Sequence, residues 1–102
     1  MGIRVKHLTR EQTQSLDLTQ TAIIVTGTRV DIPNQAPVTR IIVGEFPDRD
    51  TAYYFCRDNN IRRMVREGKV PGSTVQVEVK LLRLKKALKD LTGTLEYWQV
   101  CR

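Results

Sequence analysis

The side chains most often used for metal binding and covalent chemistry are scarce: 102 residues hold one histidine and two cysteines. His7 alone gives a His-based metal site or a Ser/His/Asp triad almost nothing to build on, and it reads as a surface residue. Cys56 and Cys101 fit core and terminal thiols in a reducing compartment rather than a disulfide framework. Apolar runs are short. None approaches the roughly 18 residues of a membrane span, and the first residues lack a signal-peptide core. Lys6 stands where a myristoylation signal requires Ser or Thr. These absences point to a cytoplasmic protein with no membrane partner. Phosphate loops are missing as well: Gly68-Lys69 lacks a preceding glycine at the required spacing, and Gly72-Ser73 follows no strand that would aim it. Asp48-Arg49-Asp50 could offer two carboxylates to Mg²⁺, but its place before a helix makes it a cap. No catalytic, metal or cofactor site is expected, and an enzyme is not.

What the chain has in plenty is positive charge, unevenly spread. The formal net charge is +6, with 40% hydrophobic and 27% charged residues. From Met1 to Cys56 six Lys/Arg balance six Asp/Glu; from Arg57 to Arg102 the count is eleven against five. Such asymmetry suits an anionic partner, while a solvated face kept charged for solubility is the plain alternative.

Residues 1–102 are expected to form one α+β domain, with residues 1–20 either joining it or serving as a flexible, partner-ordered N-terminal arm. Ile3, Val5 and His7 alternate weakly as a strand, and Thr9 with Gln12 matches a capping box for a helical turn. Thr21 to Val30 is strongly β-branched. The loop Asp31 to Pro37 then leads to a second strand at Val38, antiparallel to the first, which Pro47 ends. Asp48 or Asp50 can cap the following helix, whose Ala52, Phe55 and Cys56 share one face. Ile61, Met64 and Val65 fall on nearly the opposite face. A break near Asp58-Asn59-Asn60 and a second short helix from about Asn60 to Glu67, ended by Gly68, resolve that conflict. A turn at Val70 to Ser73 leads to alternation from Thr74 to Leu81, then to a helix with Leu84, Leu88 and Leu91 inward and Gly93 as its stop. The last strand is Thr94 to Cys101. The order β-β-α-β-α-β implies a single antiparallel sheet of four to five strands with two or three helices packed on it, on one face.

The stretch Val43-Gly44-Glu45-Phe46 followed by Ala52 resembles the strand-to-helix half of a SPOR repeat, a peptidoglycan-binding fold. The other half of that repeat is not recognisable, and no function is carried over from the resemblance.

Basic residues concentrate in two stripes. Arg57, Arg62, Arg63, Arg66 and Lys69 form the first; Lys80, Arg83, Lys85, Lys86 and Lys89 form the second. Together they suit a nucleic-acid phosphate backbone. Tyr53, Tyr54 and Trp98 are the candidate rings for stacking or for an interface, Trp98 being expected to be the most exposed. The interleaved aromatic motif of the common RNA-recognition sheet is absent, so base-specific reading is not expected. The expectation is therefore a small, basic, non-enzymatic protein that binds DNA or RNA through phosphates. The competing one is an interaction module docking on an acidic protein surface, or a homo-oligomer joined through the last strand as an edge. Two stripes on one face would make a groove; on opposite faces they would not.

Overall fold

Two runs of β-branched residues form the centre of the molecule because both of their faces are buried. Ala22 to Val25 and Ile41 to Val43 are each all but inaccessible to solvent, and a strand that is apolar on successive residues needs a cover above and below the sheet. The computed structural model describes residues 4–29, 34, 36–59 and 75–101. Its elements in chain order are β1 (Arg4–Leu8), α1 (Arg10–Thr13), β2 (Thr21–Arg29), β3 (Val38–Phe46), α2 (Arg49–Asn59), β4 (Val75–Arg83), α3 (Leu84–Asp90) and β5 (Thr94–Cys101). The five strands form one sheet in the order β1-β5-β3-β2-β4. All neighbours are antiparallel except β3 and β5, which run parallel with Arg40 beside Glu96 and Ile42 beside Trp98. The α+β class and element order are as the sequence implies.

The helices do not share a face. On one side of the sheet Ala52, Phe55 and Cys56 of α2 pack with Ile23, Val25, Ile42, Phe46 and Val77. On the other, Leu84, Ala87 and Leu88 of α3, with Leu16 and Leu18 from the segment after α1, cover Ala22, Ile24, Ile41 and Val43. The expectation of one helical face is thereby corrected, and the reason lies in the central strands, whose consecutive apolar residues demand two covers. A fully buried Ile, Leu or Phe contributes roughly 1.5–3 kcal/mol, while an exposed ion pair contributes about 0–1 kcal/mol. The two apolar layers hold the fold, and the surface charges are free for other work.

Local chemistry sets the element ends. The Thr9 hydroxyl accepts from the Gln12 amide and Gln12 Oε1 accepts from the Thr9 amide, completing the capping box of α1. Asp48 caps α2, its Oδ1 accepting from the Thr51 amide and hydroxyl, each at 2.8 Å. Asn59 ends the described part of α2, its side-chain amide turned back to the Phe55 carbonyl at 3.0 Å. The short helix and turn expected between Asn60 and Ser73 lie outside the described residues. The helix α3 stops at Leu91, before Gly93, whose φ of +91° belongs to the turn into β5.

One irregularity shapes the end of β3. Thr21 faces Phe46, yet Ile23 faces Ile42, so β3 bulges between them. Glu45 sits at φ +61° and its amide donates to the buried Gln20 side chain at 3.1 Å. The bend folds the Phe46 ring back over Gly44, where an added Cβ would lie 2.7 Å from the ring tip. Gly44 is there because that ring leaves no room for a side chain.

Candidate functional site

The helix α3 turns its apolar residues inward, with Leu84, Ala87 and Leu88 buried and Leu91 half-buried, so that Lys85, Lys86, Lys89 and Asp90 are exposed. Helical spacing of i, i+3, i+4 and i+7 leaves no other arrangement. Its first turn is anchored by backbone: the Leu84 amide donates to the Gln20 carbonyl at 2.8 Å and the Lys85 amide to the Leu18 carbonyl at 2.9 Å. Near its end the Arg10 guanidinium donates to the Leu88 carbonyl at 2.8 Å and to the Tyr97 hydroxyl at 2.9 Å. The helix is clamped at both ends, so its basic side is a fixed surface. Arg83, Lys85, Lys86, Lys89 and Asp90 line an open groove of about 350 Å³ there. Among the described residues, four cations converge there against one carboxylate.

Lys80 lies on the same side of the sheet as α3, since it stands opposite Ile24, which packs beneath that helix. Its ammonium lies 3.4 Å from Glu78, and both side chains are 65% exposed, so part of its charge is already answered. Arg57 is elsewhere. It stands on the outer side of α2, across the sheet, with its guanidinium 3.2 Å from Asp58 and stacked 4.9 Å from the centre of the Tyr54 ring. The second stripe is thus gathered into one place, and Arg57 is not part of it. Arg62, Arg63, Arg66 and Lys69 lie outside the described residues.

The rings also sort differently from expectation. Tyr53 and Tyr54 are the exposed pair, at 55% and 50%, set edge to face at 5.6 Å. Trp98, expected outermost, is half-buried because β5 lies between β1 and β3 and is not an edge. Its ring packs on the core beneath α2, with the Arg40 guanidinium 5.0 Å from its centre and His7 against it at 5.2 Å. Self-association through an exposed last strand is excluded by that position.

Sequence reasoning missed Arg40. This residue is 5% exposed in the middle of β3, and its Nε lies 3.2 Å from Glu96 Oε1. The N–H does not point along that line, so the contact is one of charge rather than a directed hydrogen bond. Nε and Nη1 of Arg40 and Nε1 of Trp98 are buried without a hydrogen-bond partner among the described residues. No signal marked Arg40 in the chain, since its counter-ion is 56 positions away and reached only through the parallel pairing of β3 with β5.

Among the described residues no three His, Cys, Asp or Glu side chains converge as metal ligands, and no helix is long and apolar enough to cross a membrane. Cys56 is half-buried and Cys101 exposed, and the two are not joined in a disulfide. In comparison with known proteins, no family model, curated protein or solved structure matches the chain.

Proposed function

We propose that this is a small, non-enzymatic nucleic-acid-binding protein that holds a phosphate backbone in the α3 groove, without base-specific contacts. The observation behind it is the convergence of Arg83, Lys85, Lys86 and Lys89 on one open groove with Asp90, among the described residues, as the lone acidic neighbour. A polyanion displaces its counterions onto such a surface, and the released ions supply the affinity. No ring lines the groove, so it offers phosphates something to hold and bases nothing to stack on. The reading is narrower than the one from two stripes, because Arg57 lies on the opposite face.

Purified protein should bind random-sequence DNA or RNA at about 50 mM salt and weaken by orders of magnitude at about 200 mM. Replacing Lys85, Lys86 and Lys89 with alanine should lower the slope of log K against log salt by about 2.7 on duplex DNA and about 2.1 on a single strand. The three side chains are exposed, so the melting temperature should hold. No binding at the lower salt, or an unchanged slope in the triple variant, would sink the proposal.

A second reading rests on the other face. Tyr53 and Tyr54, both half exposed beside Arg57, have the composition of a docking patch for an acidic protein surface. Alanine at both tyrosines should then abolish capture of that protein and leave nucleic-acid affinity as it was. Competition between a polyanion and the captured protein separates the two readings, because surfaces on opposite faces do not compete.

A further inference from the structure

The inner side of α2 belongs to the core, where Ala52, Phe55 and Cys56 pack. Its outer side is open to solvent along the whole helix. Tyr53 and Tyr54 are 55% and 50% exposed, the side chains of Arg57 and Asp58 are 61% exposed each, and Arg49 and Asp50 are exposed in the first turn. Paired rings on an exposed helix suit an interface, and the order of the charges around them says which one. Counted from the midpoint between Tyr53 and Tyr54, Asp50 lies as far before it as Arg57 lies after, and Arg49 as far before as Asp58 after. Each charge thus has its opposite at the mirrored position. At about 100° per residue Asp50 and Arg57 share the outermost line of the helix, Tyr53 and Tyr54 stand to either side of it, and Arg49 and Asp58 lie on opposite flanks.

We infer that two copies of the chain associate by antiparallel packing of α2 on α2, about a two-fold axis that passes between Tyr53 and Tyr54. In that arrangement Asp50 faces Arg57 of the second copy and Arg57 faces its Asp50, the two pairs lying on the order of 5 Å to either side of the axis by the helical rise. Tyr53 meets Tyr54 of the second copy, so four rings form the centre of the contact. Arg49 and Asp58 add one opposite-charge pair on each flank. Arg57 is already held against the helix by its own Tyr54 ring, 4.9 Å from the ring centre, which sets its charge where the second copy's Asp50 arrives. A wholly acidic surface would attract Arg49 and Arg57 but repel Asp50 and Asp58; a second copy answers all four. The contact is isologous, so it closes on itself and stops at two copies. One helix from each copy covers less than the roughly 1,000 Å² of a stable interface, which makes the dimer a weak one, with a dissociation constant on the order of 100 μM. Because α3 covers the other side of the sheet, both α3 grooves end on outer surfaces that point apart. Where those grooves hold a phosphate backbone, as proposed above, the dimer joins two separate strands; the pairing itself does not depend on that reading.

Charge reversal tests the pairing without reference to any ligand. Sedimentation of the protein without nucleic acid, at about 50 mM salt and over about two orders of magnitude in concentration up to the high micromolar range, should show a monomer–dimer equilibrium. Asp50→Lys and Arg57→Glu should each weaken it about tenfold, since each turns two attractive pairs across the axis into repulsive ones. Each variant carries the charge that the other lacks. A one-to-one mixture of the two should therefore form a mixed dimer with a dissociation constant within about threefold of the parent's. Circular dichroism should show both variants folded, the reversed side chains being exposed, and recovery on mixing is a gain that a misfolded variant could not give. A monomer at every concentration, single reversals without effect, or a mixture no tighter than its components would each overturn the inference.

Discussion

At the scale of single residues, two buried positions hold contacts that no surface substitution would disturb. Gly44 faces the ring of Phe46, which is wholly buried and packed against Phe55 at 4.9 Å between ring centres. A methyl at 2.7 Å cannot be met by swinging that ring away, so Gly44→Ala should destabilise the protein by about 1–3 kcal/mol in chemical denaturation. Arg40 is a different case, because among the described residues its charge is answered by Glu96 alone and that carboxylate is 35% exposed. Removing the partner leaves an uncompensated buried cation, whereas removing the cation leaves a carboxylate that water can reach. Glu96→Gln should therefore cost more than Arg40→Met, by roughly 2 kcal/mol, below the 3–5 kcal/mol of a fully buried pair. Equal losses in the two variants would mean that packing, not charge, governs the site. Neither position was legible in the chain. Nothing local marks Gly44 or Arg40 beyond membership of the β3 strand, since both roles depend on what another element folds over them.

Elements were more legible than their arrangement. The strands from Thr21, Val38 and Thr94 and the alternation of β4 were readable because β-branched runs and period-two patterns are local properties. The capping box at Thr9 and the cap at Asp48 were readable for the same reason. Helical spacing told which side of α3 is basic, but spacing within a helix carries no information about which face of the sheet the helix will cover. That is why the separation of Arg57 from Lys85, Lys86 and Lys89, the fact that decides the shape of the candidate site, had to come from the structure. The α2 cap has its own pH signature. Hydrogen bonds from the Thr51 amide and then its hydroxyl hold the Asp48 carboxyl below its ordinary value of 3.8. A depressed folded-state pKa stabilises the native protein above the ordinary value, and the benefit disappears as pH falls through the lower one. Asp48→Ala should thus melt below the parent at neutral pH, and the gap should narrow as the pH is taken below 3.8. A gap that stays constant across that range would show that the carboxylate charge has no part in capping.

For the molecule as a whole, the order β1-β5-β3-β2-β4 brings together the strands farthest apart in the chain. Arg4 stands directly opposite Cys101, and Val5 opposite Val100. The first and last described residues are thus a strand spacing apart, about 5 Å. A few flexible residues could join them, and new ends could be opened at Thr92-Gly93, an exposed turn between α3 and β5. Such a circular permutant keeps every strand pairing and should fold to a sheet with the parent's circular dichroism spectrum, at a moderate loss in melting temperature. Failure to fold would indicate that the direct passage from α3 into β5 is needed to set the parallel register with β3. The same adjacency makes the two ends a single exit point. A reporter or cargo attached at either one would emerge beside β1, at the opposite edge of the sheet from β4, and so would leave the α3 groove unobstructed.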